Sequence, residues 1–255
     1  MSDSTEETET TWWARPRFVI SAALVALIVV VGAVALLWPR GESETPAAAE
    51  TPAPTSSSAV ASSPSAGGST CGLTATGGGS TLTKAPQAIT WDARGAIQAP
   101  TSKEHGPARV DESTGVRSCF SRTPTGAVLA VSNFLASSGD RNAFVATIQA
   151  MGIDGPGRDI AIGQAREAAV SGDSAGAPIS IKGFRVLSYS PSKATVEVVA
   201  GADTSNGMVY QTTGVDLVWQ GGDWKVAYRP NGEAGPINGQ ISSLSGYVKW
   251  SPTDG

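Results

Sequence analysis

The chain has 255 residues, only 16% of them charged, with 30 glycines and 16 prolines, so a good share must be loop or linker. Its net charge of −4 and pI near 5.1 exclude the clustered basic surface that nucleic acid requires. One histidine, His105, excludes a metal site built on several histidines and leaves a Ser-His-Asp triad a single place to form.

Residues 1–17 are a short tail with an acidic run, "SDSTEETET", expected to be solvated rather than to form a domain. Residues 18–38, "FVISAALVALIVVVGAVALLW", carry no charge. As a helix they would extend about 31 Å, enough for a bilayer core of roughly 30 Å. Trp12, Trp13 and Trp38 flank the run as interfacial aromatics do. A cleaved signal peptide is the alternative, but its apolar region is shorter and ends in an A-x-A-like site, which "LLWPRGES" lacks. Arg15 and Arg17 before the run and Arg40 after it favour a cytoplasmic N-terminus. The expected position is a single-pass cell-membrane protein with its C-terminal part extracytoplasmic and its span 18–38 in the lipid bilayer.

Residues 39–70 are dominated by Ala, Pro, Ser and Thr. Such a segment buries too little apolar surface to fold and should be a disordered, partly extended stalk. The two cysteines, Cys71 and Cys119, both lie beyond the span, and a bond between them suits an oxidising compartment. It would act as a staple, because a redox pair usually shows close C-x-x-C spacing. Between them, residues 71–122 read as an extended arm with one strand in "AITWDARGAI".

From Thr123 the pattern changes. Thr123 can cap a helix with Pro124 in its first turn, and Gly139 ends it. "DRNAFVATIQAMG" gives a second helix with Phe144, Ile148 and Met151 on one face, and "GRDIAIGQAREAAVSG" a third. After Pro178 the period becomes two, predicting four strands: "ISIKGFRVLSYS", "KATVEVVAG", "GMVYQTTGVDLVWQ" and "DWKVAYRP". Gly221-Gly222 suits a primed two-residue turn. It sets Trp219 opposite Trp224, Leu217 opposite Val226 and Val215 opposite Tyr228, with Lys225 and Arg229 on the other face. Leu217, Trp219, Trp224, Val226 and Tyr228 are the expected hairpin core. The fold class is α+β, with about three helices packed on a curved four-stranded antiparallel sheet over residues 123–230.

Helices first, then a sheet whose closing hairpin carries Trp, a Gly-rich turn and "DWKV", resembles the cone-shaped superfamily of nuclear transport factor two and the SnoaL-like enzymes. A single N-terminal span with that domain outside is similar to the bitopic assembly proteins of conjugative type IV secretion systems. "RSCFSRTPTGAVLAVSNFL" resembles membrane-anchored proteins of actinobacterial integrative and conjugative elements. The resemblance implies a scaffold or adaptor in a DNA-transfer apparatus, binding other membrane or envelope proteins or further copies of itself, while the charge balance argues against direct nucleic-acid contact. It supplies no catalytic motif.

The residues add none. Enzymes of that superfamily place Asp, His or Tyr inside the cone, whereas the alternation turns Asp216 and Glu197 away from the oily face. His105, with Glu104, Asp111 and Glu112, falls in a loop of the arm and reads as a surface residue. Tyr189, Tyr210 and Tyr228 read as packing groups, Asp140 and Asp159 as helix-start residues. "GPGRD" and "TGGGST" lack the phosphate-loop spacing. No catalytic, metal or cofactor set is expected, and no small molecule. Ile241, Leu244, Tyr247 and Trp250 in the 231–255 tail form an amphipathic group: either a short tail helix packing on the domain or a candidate partner-facing patch. The alternatives for the whole are a ligand-binding or enzymatic cone, or an envelope protein with a sensing role unrelated to conjugation.

Overall fold

The computed structural model describes residues 71–75, 77–94, 97–170, 179–236 and 238–253. The tail, the 18–38 span and the stalk lie outside the described residues. Among the described residues no helix is long and apolar enough to cross a membrane.

Two short hairpins come first: β1 (Thr90–Arg94) with β2 (Ile97–Thr101), and β3 (Arg109–Val110) with β4 (Arg117–Ser118). Three helices follow, α1 (Pro124–Ala136), α2 (Arg141–Met151) and α3 (Pro156–Val170). The Thr123 hydroxyl accepts from Gly126 N, and Asp140 accepts from the amides of Asn142 and Ala143, so both capping expectations hold. A 3₁₀ turn at Ser137–Gly139 separates α1 from α2.

The main sheet comprises β5 (Ile179–Tyr189), β6 (Lys193–Thr204), β7 (Gly207–Gln220), β8 (Asp223–Val226), β9 (Asn238–Ile241) and β10 (Val248–Lys249). All pairs in it are antiparallel. Its order is β10-β5-β6-β7-β8, with β9 also on β7. The expected four strands are therefore joined by two more; β9 and β10 are too short to show any period.

Strand β5 shows why its sequence does not alternate cleanly. The pairing shifts between Ile181 and Gly183 and again between Val186 and Ser188. Lys182 and Leu187 are the extra residues of two bulges; the first lets Ile181 face the core with Phe184 and Val186, all three buried, and the second turns Tyr189 to the same face. With Val196, Val198, Val215, Leu217, Trp224 and Val226 they cover α1, whose Val128, Leu129 and Val131 are wholly buried.

The arm expectation is corrected. Residues 97–102 and 116–123 pack into the domain, with the loop between them exposed over residues 109–114: Ala99, Phe120 and Ser121 have no exposed surface and Arg117 is 5% exposed. The signal was hidden because small and polar residues do the packing there, held by backbone hydrogen bonds rather than an apolar run.

The C-terminal tail is corrected too. It forms no helix. After β9 on the β7 edge, the chain crosses the reverse face of the sheet and joins β5 through β10. Tyr247 marks the crossing: its hydroxyl lies 3.5 Å from Thr212 Oγ1, and the Arg185 guanidinium stacks 4.8 Å from its ring centre. Under this strap Glu197, Val199 and Thr212 are buried. Trp250 then turns over the edge, packing against Trp91 at 4.9 Å and Phe184 at 5.3 Å.

Candidate functional site

The polar atoms of the β7–β8 hairpin hold a segment about a hundred residues earlier in the chain. Gly221 and Gly222 take φ of +63° and +81°, the left-handed pair that a type I′ turn needs. Trp219 pairs with Trp224 and Leu217 with Val226, as the sequence predicts. The two indoles meet edge to face at 5.2 Å. The predicted Val215–Tyr228 pair does not form. Pairing stops at Val226, and the Asp216 amide instead donates to Ala234 O. Tyr228 swings under the helices, 6.5 Å from the Phe134 ring. Its hydroxyl is buried with no hydrogen-bond partner, and burial pushes its pKa up.

Asp216 and Arg229 lie on the outer face as expected, 3.6 Å apart. Glu197 also points to the reverse face, but the strap buries it to 1% exposure and Arg185 meets it at 2.6 Å.

Asp223 is the residue the sequence does not advertise. Its buried carboxylate accepts from Cys119 N at 2.8 Å and from Phe120 N and Trp224 N at 2.9 Å. Burial raises its pKa while these three amides oppose the rise. Trp224 Nε1 donates to Ser121 O at 2.9 Å, and Tyr189 donates its hydroxyl to Arg122 O at 2.9 Å. The Cys71–Cys119 disulfide fixes the same segment covalently. The oily hairpin thus clamps "SCFSRT" (residues 118–123) and, through it, the start of α1. Gly126 is required there, since a Cβ would run into the Ser121 carbonyl.

His105 belongs to this clamp and not to the surface. Its Nδ1 lies 2.9 Å from Ser121 Oγ and 3.2 Å from Thr123 Oγ1, and the two hydroxyls are 2.8 Å apart. Glu104 stands 4.0 Å from Nε2. Ser, His and Glu are therefore collected, but Ser121 is wholly buried and no substrate can reach its oxygen. The chain of hydroxyls ends at Gly126 N, donating to Thr123. It completes a helix cap. Burial holds the His105 pKa down, with Glu104 opposing.

Two concave regions flank α1. A polar cleft of about 510 Å³ is lined by Arg117, Asn133, Thr147, Glu112 and Asp140 among others. Arg117 at its floor is engaged by Asp92 at 2.9 Å and Asn133 at 3.1 Å. An apolar trough of about 250 Å³ lies at the far end of α1. Among the described residues no three His, Cys, Asp or Glu side chains gather as metal ligands do.

Of the tail group, Ile241, Leu244 and Tyr247 are partly buried in the strap. Trp250 is 3% exposed and belongs to the core, so it cannot face a partner.

Residues 50–249 match a family described as a domain of unknown function (DUF8175). The chain belongs to that family. No curated protein and no solved structure matches it. The DUF8175 match runs through the short hairpins, the helices, the sheet and the strap to the end of β10. The family unit therefore includes both the 71–122 stretch and the strap with the 123–230 region, consistent with the clamp that ties them.

Proposed function

We propose that this protein is a membrane-anchored, extracytoplasmic scaffold or adaptor that works by binding other proteins in a conjugative DNA-transfer apparatus. The observation that carries the non-enzymatic half of this reading is the use made of its reactive groups. Asp223, Ser121, His105 and Glu197 are each spent on a structural contact within the fold, where an enzyme would turn such groups into an accessible pocket.

The setting rests on the 18–38 run, the stalk and the "RSCFSRTPTGAVLAVSNFL" resemblance. That segment is the one clamped by the hairpin, so its residue choice has a fold-specific cause. Helices laid on an antiparallel sheet support the cone-like likeness. A disulfide within the domain suits the oxidising side of a membrane, with the N-terminus cytoplasmic. In this reading the span anchors, the stalk sets reach, and the domain contacts membrane or envelope proteins or further copies of itself.

Deletion of the gene and complementation test it. The reading expects transfer to fall on deletion and return with the full chain, but not with residues 71–255 released from the membrane. Unchanged transfer on deletion would remove the conjugative assignment.

A further inference from the structure

The apolar trough is built, and its construction points to an occupant. On the core side of the sheet β6 presents Val196, Val198, Ala200 and Ala202 in succession. The valines lie under α1. The alanines begin where α1 ends at Ala136 while β6 runs on to Thr204. Solvent would call for polar residues at these positions and a closed core for large ones. Alanine between Ile179 and Ile181 on β5 and Val209 on β7 leaves a channel instead. Ile97 and Leu135 form the opposite wall.

Ile179 and Val209 at the rim are 40% and 37% exposed, so the channel opens to solvent. No charged side chain lines it. Its polar side chains are Gln211 and Thr213 on β7 and Ser138 just beyond α1, while the β5 side is aliphatic. The volume of about 250 Å³ holds about eight groups of methylene size, at roughly 30 Å³ each, the share of one water.

We propose that this trough binds a single aliphatic acyl chain, with its oxygen-bearing end at Gln211 and Thr213 and its tail between Ile179 and Ala200. An uncharged, narrow, one-sidedly polar channel matches a monoacyl amphiphile. A charged ligand would find no counter-ion there. An aromatic ring would find only the flanks of small residues.

The test uses the full chain in lipid nanodiscs and an uncharged octanoyl glycerol ester bearing a photoactivatable diazirine at the end of its acyl chain, with labelled residues mapped by mass spectrometry. The proposal expects label at Ile179, Leu135 or Val209, and competition by unlabelled octanoylglycerol. Ala200→Phe, which fills the channel, should cut that label at least about ten-fold with the melting temperature unchanged. If Ala200→Phe disturbs folding, Val209→Lys at the rim and the competition on the native chain give the answer. Label confined to residues 18–38, or trough label that unlabelled octanoylglycerol does not displace, overturns the proposal. So does a change of oligomeric state in Ala200→Phe without any trough label, which would make the channel a contact between copies. None of these outcomes bears on DNA transfer, so this site and the scaffold role stand or fall separately.

Discussion

Replacing Asp223 tests the clamp. Asp223→Ala strips acceptors from the amides of Cys119, Phe120 and Trp224, which its carboxylate holds at 2.8 to 2.9 Å in the interior. A buried amide left without an acceptor costs about 1–3 kcal/mol. Relief of the burial cost of the carboxylate, visible in its raised pKa, offsets part of this. The net loss should be about 3 kcal/mol, a large share of a typical domain's stability. Asp223→Asn keeps one oxygen but turns an amide toward another N–H, so its loss should be smaller, about 1–2 kcal/mol. Urea denaturation of the full chain in detergent, followed by near-ultraviolet circular dichroism, reads both, because the clamp orients Trp224. Losses below about 0.5 kcal/mol for both variants would refute the claim that these bonds hold the segment.

Three further outcomes are expected. Cys119→Ser should lower stability by about 4 kcal/mol on the loop-entropy model, the two cysteines being 48 residues apart; a change below about 1 kcal/mol in the same denaturation would contradict a staple. Glu197→Gln weakens the link to Arg185, which is 43% exposed, so about 1 kcal/mol is lost after allowing for solvent screening. Its sharper sign is faster proteolytic cutting within Ser242–Gly246, and an unchanged cutting rate would deny that Glu197 secures the strap. Because His105 titrates below its ordinary value of 6.5 when folded, the unfolded chain binds more protons in that window. Its stabilising contribution is thus complete above about pH 6.5 and is lost as pH falls through the folded value. His105→Gln should flatten the melting temperature between about pH 7 and 5 relative to wild type; an identical slope would remove His105 from the clamp.

The legible parts of the fold are those whose cause is local. Gly221-Gly222 sets its turn through backbone freedom, and Thr123 and Asp140 cap helices by reaching two or three residues along. β5 reads as one strand although Lys182 and Leu187 shift its phase, since its ends are marked by Pro178 and Pro191. Strands β9 and β10 were not legible, because four and two residues carry no period. The clamp was not legible for another reason. Asp223 acts on residues more than a hundred positions away, and no spacing rule links a carboxylate to amides at that separation. His105 misled for the same reason, since Ser121, 16 residues on, turns a loop residue into part of a helix cap. The alternation that puts Asp216 and Glu197 on the outer face is legible in the sequence; the burial of Ser121 beside His105 is not.

The central claim is that the domain acts by contact with other proteins at the outer face of a membrane. In-cell photocrosslinking from exposed positions such as Leu187, Ile160 and Met208, with mass-spectrometric identification of what is captured, tests it most directly. The account predicts reproducible adducts with other transfer-apparatus proteins or further copies of this chain, concentrated at some positions and lost when the span is removed. Adducts spread evenly over unrelated abundant proteins, or unchanged after release from the membrane, would contradict it.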